Sequence, residues 1–136
     1  MDKLEYIPGD LVKFATNNYT IVNFEENFLH NKICYALIST NSTKTALVAD
    51  RDILPIPLTP EILEKNGWEF VGGQVDEDGF TWDIYSNRGV LPDLYYYPDG
   101  KFSVFMYRKE VLPDIKYIHQ LQHFLYGLGL NSEMEV

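Results

Sequence analysis

Polar and apolar residues alternate along short stretches of the first fifty-six positions. In "DLVKFAT" and "YTIVNF", Val12 and Phe14, and Tyr19 and Ile21, fall on alternate positions around Lys13 and Thr20, the period of a half-buried strand. Asn17-Asn18 lies between them and tolerates the left-handed backbone that a two-residue hairpin turn needs. Pro8-Gly9 marks a turn leading into the first of these strands. "KICYALIST" reads as a third strand, Asn41-Ser42 opens the next turn, "KTALVA" is a fourth strand, and "DRDILPI" gives a short turn and a closing strand. Five short strands in so few residues predict a small SH3-like β-barrel over residues 1–56, because a short sheet gains by closing its edges. Its expected core is Val12, Phe14, Ile21, Cys34, Ala36, Leu47 and Ile53.

The pattern changes at "PIPLTPEILEKNGWEF". Pro55, Pro57 and Pro60 form a stiff joint. Thr59 is placed to cap a helix whose first residue is Pro60, and Gly67 is placed to end it after about two turns. Beyond it, "WEFVG", "VDEDGFTWDIYS" and "LPDLYYYPDGKFSVFMYR" read as four antiparallel strands, with turns at Asp78-Gly79 and Pro98-Asp99-Gly100. A last helix is predicted from about Pro113 to Leu128, with Ile118, Leu121, Leu125 and Leu128 centring its apolar stripe. "NSEMEV" could add a short strand. The expected architecture is α+β: the barrel over residues 1–56, then an α-β-β-β-β-α unit over residues 57–136.

Two histidines ride on that last helix, in "IKYIHQLQHFLYGLGL". His119 and His123 stand four apart, a spacing that can share a zinc ion. On the helical wheel they point away from the apolar stripe. Gln120 occupies the place where the zinc-protease pattern puts its glutamate, and Lys116 one turn earlier would repel a cation. The pair is therefore expected to be a solvated or interface-forming face, with no metal site. His30 in "NFLHNK" reads as a loop residue, and Cys34, the one cysteine, as a buried inert thiol without the cationic neighbours of a reactive one. "VDEDG" lacks the alternating carboxylates of a calcium loop and reads as a charged hairpin tip. Neither a nucleophile elbow nor a phosphate-binding glycine loop is present. No catalytic residue and no cofactor are expected.

Composition narrows the function classes. The chain has 136 residues, 46% hydrophobic and 15% aromatic, which is globular and far from disordered. Apolar runs are too short to span a bilayer, and the first residues hold no apolar signal core, so a cytoplasmic location is expected. The net charge is −9, of which residues 57–136 carry −7. With no basic cluster to neutralise phosphates, neither direct nucleic-acid binding nor attachment to an anionic membrane is expected.

The same acidic half holds fourteen of the aromatic residues. Phe80, Trp82 and Ile84 alternate onto one strand face; Phe102, Val104 and Met106 share a face opposite to Phe105 and Tyr107; "LYYYP" puts a tyrosine on each side. These rings either form a core shared with the barrel or line an exposed surface for a protein partner or a second copy, where Tyr and Trp are favoured. Trp82, Tyr95, Tyr97 and Phe105 are the candidate surface residues.

The order "DILPIPLTPEILEKNGWEF", strands, then "IKYIHQLQHFLYGLGLNSEMEV" resembles a group of small uncharacterised proteins of gut Bacteroidales and of the phages and prophages that infect them. The "PIPLTPEIL" joint and a "KYVHQLQNL"-type helix, matched by Lys116, Tyr117, Ile118, His119, Gln120, Leu121 and Gln122, carry the likeness from Asp52 to the end. The resemblance implies a mobile-element origin and brings no catalytic residue. Three functions remain open: a non-enzymatic interaction module of a phage or prophage, an acidic decoy that mimics nucleic acid and blocks a host DNA-binding protein, and a small hydrolase or metal-binding protein.

Overall fold

The computed structural model describes residues 6–27, 32–39 and 45–136. The chain divides into two compact units, one of residues 1–56 with 117–134 and the other of residues 57–116 with 135–136. Each contains an antiparallel five-stranded sheet, so the protein is a mixed α+β chain dominated by strands.

In the first unit, β1 (Leu11–Phe14), β2 (Asn17–Asn27), β3 (Lys32–Ser39), β4 (Thr45–Ala49) and β5 (Ile53–Pro55) pair in the order β4-β3-β2-β1-β5. A single 3-10 turn, Asp50–Asp52, joins β4 to β5. Five strands form where the alternation predicts them. Among the described residues the pairing leaves β4 and β5 as outer strands and does not close a barrel. The first hairpin turns at Ala15-Thr16 rather than at Asn17-Asn18, since Phe14 faces Asn17 across the ladder. Ala15 accepts a φ of 55° there. The Asn41-Ser42 turn and His30 lie outside the described residues.

The buried cluster holds Tyr6, Val12, Ile21, Tyr35, Leu37, Val48 and Ile53, with Phe14 packed against it. Expected core residues Val12, Ile21 and Ile53 are in it; Cys34 and Ala36 are only half-buried, and Leu47 is 57% exposed. The phase of β3 and β4 is therefore shifted by one residue from expectation. Tyr35 opposite Val48 faces inward, and Ala36 opposite Leu47 faces out. "KICYALIS" is apolar at almost every position, so period two alone cannot say which face is buried. The larger Tyr35 and Leu37 bury more apolar area than Cys34 and Ala36, and that decides the face.

The final helix belongs to this unit, which corrects its expected place beside the second sheet. It spans Ile118–Gly127 and starts about five residues later than the apolar pattern suggested. Ile118 N donates to Ile56 O at 2.9 Å, and Gln122 ties the helix to the start of β1. The buried arc is Ile118, His119, Leu121, Gln122 and Leu125, while Leu128 is exposed. Residues 131–136 form no strand.

In the second unit, α1 (Pro60–Lys65) is punctuated as expected. Thr59 Oγ1 accepts from Ile62 N at 3.3 Å, Pro60 opens the helix, and Gly67 at φ 88° turns the chain out of it. This order stands beside β6 (Glu69–Val75), β7 (Thr81–Asn87), β8 (Val90–Tyr96), β9 (Phe102–Met106) and β10 (Lys109–Ile115), a meander in the order β10-β9-β8-β7-β6. The fifth strand, β10, was not expected. Its hairpin turns on Tyr107 and Arg108, both at positive φ (52° and 66°), without the Gly or Asn that normally signals such a turn. Pro113 is tolerated because β10 is an outer strand, where a missing N–H breaks no ladder. The register slips on both sides of Leu112. Leu58, Leu63, Trp68, Tyr85, Leu94, Phe102, Val104 and Ile115 are this unit's large buried apolar residues.

Candidate interaction surface

His119 and His123 do not point to solvent together. His119 is 3% exposed, edge-on to Tyr6 (ring centroids 5.0 Å) and to His123 (5.5 Å), and parallel to Tyr117 (6.0 Å). Burial, aided by the neighbouring His123, lowers its pKa to about 4, so the ring is neutral at physiological pH. His123 Nε2 lies 2.6 Å from Oδ2 of Asp10, a carboxylate that is 1% exposed. The helix packs on the first sheet and buries a wider arc than its aliphatic stripe, which takes His119 and Gln122 inward against the helical-wheel expectation. Asp10 belongs to the turn 113 residues before His123, so no local spacing could disclose the pair.

This cluster seats the helix. Asp10 Oδ2 also accepts from Ile7 N at 2.9 Å, closing the Pro8-Gly9 turn. Gln122 Oε1 accepts from Leu11 N at 2.9 Å, and its Nε2 donates to Gly9 O (3.0 Å) and Ser132 O (3.1 Å). Desolvation raises the Asp10 pKa, while Ile7 N–H and His123 pull it back. A buried charge is tolerated only with partners of this kind. Among the described residues no group of three or more His, Cys, Asp or Glu is placed to hold a metal ion.

The second sheet behaves differently. Pairing of Ile84 with Tyr95, of Tyr95 with Ser103, and of Asp93 with Phe105 puts Trp82, Ile84, Asp93, Tyr95, Tyr97, Ser103 and Phe105 on one face. Tyr85, Leu94 and Val104 take the opposite, buried face. All four sequence-predicted surface residues, Trp82, Tyr95, Tyr97 and Phe105, thus share a face and are half-buried. Trp82 and Tyr95 are nearly parallel (14°, 6.4 Å), and Tyr95 stacks on Phe105 at 3.8 Å and 10°. Phe80, 51% exposed, extends the group to Trp82 (6.4 Å) and Tyr97 (6.0 Å). The result is a column of rings crossing β7, β8 and β9.

Polar groups are set around the column. Ser103 is buried and hydrogen-bonds the Tyr97 side chain. Desolvation raises the Tyr97 pKa, opposed by Ser103 and reinforced by Glu110. The indole Nε1 of Trp82 is buried and has no hydrogen-bond partner among the described residues. A depression of about 90 Å³ lined by Thr81, Trp82, Asp83, Tyr96, Tyr97 and Pro98 is well below the roughly 300 Å³ of a small-molecule site. At the sheet end, Asp76 Oδ1 accepts from Asp78 N (2.9 Å) and Phe80 N (2.8 Å), so the "VDEDG" carboxylate shapes a hairpin tip and positions Phe80. Sequence reasoning missed the acids of this face, Asp93 and Glu110. Both are cross-strand neighbours of Phe105, a relation that only the register of β8, β9 and β10 creates.

The chain matches no protein-family model, no curated protein and no solved structure. No helix among the described residues is long and apolar enough to cross a membrane.

Proposed function

We propose that the chain is a non-enzymatic protein-interaction module of a phage or prophage, working in the cytoplasm, and that it meets its partner through the aromatic face of the second sheet. One observation carries the reading: Phe80, Trp82, Tyr95, Tyr97 and Phe105 form a continuous group of half-buried to exposed rings on one sheet face. Large apolar residues gathered on an accessible face are the surface feature that most often marks a contact site, and aromatic rings are the side chains interfaces favour. The first unit serves as scaffold in this reading. An SH3-like kinship for it is supported by the strand order β4-β3-β2-β1-β5 and by the 3-10 turn before β5. The mobile-element origin rests on the "PIPLTPEIL" and "KYIHQLQ" resemblance.

The test is site-specific photocrosslinking. Benzoylphenylalanine at Phe80 should give a discrete adduct on irradiation in lysate of an intestinal Bacteroidales host, whereas the same group at Thr45, exposed on β4, should not. Equal labelling from both positions, or none from Phe80, would reject this surface.

A further inference from the structure

We propose that this face takes a cationic side chain, an arginine or lysine on a basic segment of a second protein, stacked on the open face of Phe105 and neutralised by Glu110, with Asp93 adding negative charge from the β8 side of the ring. The inference deepens the reading above and rests on it.

The ring column has a closed end and an open end. Trp82, Tyr95 and Phe105 follow one another across β7, β8 and β9 with nearly parallel planes. Tyr95 covers one face of Phe105. The other face looks away from Tyr95, on the side where β10 lies, and among the described residues no further ring meets it. The cross-strand neighbour of Phe105 on β10 is Glu110, and on β8 it is Asp93. Strands lie about 4.8 Å apart, so the two acids flank the ring with backbones roughly 10 Å from each other. Glu110 is exposed and Asp93 half-buried, and among the described residues neither is ion-paired.

A flat guanidinium fits this arrangement as the next member of the stack. Its charge is attracted to the ring face, and its N–H groups point outward in the ring plane, where carboxylates can accept them. An ammonium group would use the same face with less geometric selectivity. Charge at longer range has the same sign. Residues 57–116 hold eleven acids and six bases, and Lys101, the cation placed beside Asp114 at 4.0 Å, engages a different carboxylate. Anionic ligands are repelled and cationic ones drawn in.

Fluorescence anisotropy with a labelled Arg-Gly repeat peptide of six arginines tests this, against a twin with citrulline at every arginine. Citrulline keeps the shape and removes the charge. The arginine peptide should bind, and its twin should bind about ten-fold more weakly or worse, the loss expected when a desolvated cation–π and carboxylate contact is removed. Glu110→Gln, an exposed substitution that leaves the fold intact, should weaken the arginine peptide several-fold, and Phe105→Leu should do the same in protein whose circular dichroism is unchanged. Glu61→Gln on α1 is the control for general acidity and should have little effect. Equal binding of both peptides, no effect of Glu110→Gln, or an equal loss from Glu61→Gln would overturn the proposal. So would a dimer in sedimentation that Phe105→Leu disperses, because the face would then belong to a second copy. If Phe80 crosslinks a partner while neither peptide binds, the surface stands and its cation specificity falls. If neither occurs, both fall.

Discussion

Beneath the helix of the first unit lie a carboxylate, an amide and two imidazoles; on the second sheet, five rings share a face that solvent reaches. Each arrangement departs from the ordinary division of polar outside and apolar inside, in opposite directions. Buried polar groups and exposed apolar groups are the two observations about burial that carry information. In the first unit the polar groups of Asp10, Gln122 and His123 have structural duties: Asp10 closes a turn and holds His123, and Gln122 satisfies Leu11 N–H and Gly9 C=O. In the second, the rings stack mainly on each other, and the acids beside Phe105 have no internal partner among the described residues. The polar groups of the first unit hold the fold, whereas the rings and acids of the second carry no such duty among the described residues, which is what the proposed contact requires.

The largest effect should come from breaking the polar seat. Gln122→Ala leaves the buried Leu11 N–H without its partner, at about 1–3 kcal/mol, and hands the part-buried Gly9 C=O to water at a smaller cost. A loss of about 2–3 kcal/mol, or roughly 5–10 °C in melting temperature for a chain this size, is expected. Tyr95→Ala removes a half-buried ring and its stacking partner's contact and should cost about half as much. Urea denaturation of both variants decides the matter. If Tyr95→Ala were the more damaging, the aromatic face would be a structural core and the contrast between the units would be lost.

Acid should act on the first unit next. Folded His119 titrates at about 4, against 6.5 for the free side chain, so between those values the unfolded chain binds the extra proton. Stability should therefore fall as pH drops from about 6.5 to 4, by at most about 3 kcal/mol. Tyr6, Tyr117 and His123 are the groups facing the ring, with Asp10 behind His123. Asp10 works the other way. Its raised pKa lets the folded state take up a proton before the unfolded one, which adds stability as pH falls. His119→Phe should flatten the decline and Asp10→Asn should steepen it. A decline between pH 7 and 5 that His119→Phe leaves unchanged would show that the imidazole is not held neutral by burial.

How much of this was legible depended on whether the signal was local. The Thr59-Pro60 start and Gly67 stop of α1 lie within nine residues, and the helix formed where they place it. The ring face was legible too, because Trp82, Tyr95, Tyr97 and Phe105 each obey strand alternation. Which acids would flank it was not, since Glu110 sits on a strand whose turn, Tyr107-Arg108, bears no sequence mark. The inward face of β3 was hidden by an apolar run without a phase. The His123–Asp10 contact spans 113 positions, and only the docking of the helix brings the two together.

A smaller effect tests the rings alone. Tyr95 and Phe105 stack at 3.8 Å, and such pairs contribute about 0.5–1.5 kcal/mol beyond the area they bury. A double-mutant cycle with Tyr95→Leu and Phe105→Leu should return a coupling of about 1 kcal/mol, measured by chemical denaturation. A coupling near zero would mean that the column is a geometric coincidence and that Phe105 has no fixed platform behind it.

The smallest expected change is a gain, and it lies in the first hairpin. Ala15 occupies the left-handed region at φ 55°, where a Cβ crowds the backbone at a cost of roughly 1–2 kcal/mol. Glycine relieves that strain but has more freedom to lose on folding, which offsets about 0.5–1 kcal/mol of the benefit. Ala15→Gly should therefore stabilise the chain by about 0.5 kcal/mol. Because Ala15 is exposed and touches neither the polar seat nor the rings, the variant should leave the acid dependence and the Tyr95–Phe105 coupling as they are. Destabilisation by Ala15→Gly would place the turn elsewhere, at Asn17-Asn18 as the sequence pattern suggested, and would shift the β1–β2 register on which the inward positions of Val12 and Ile21 depend.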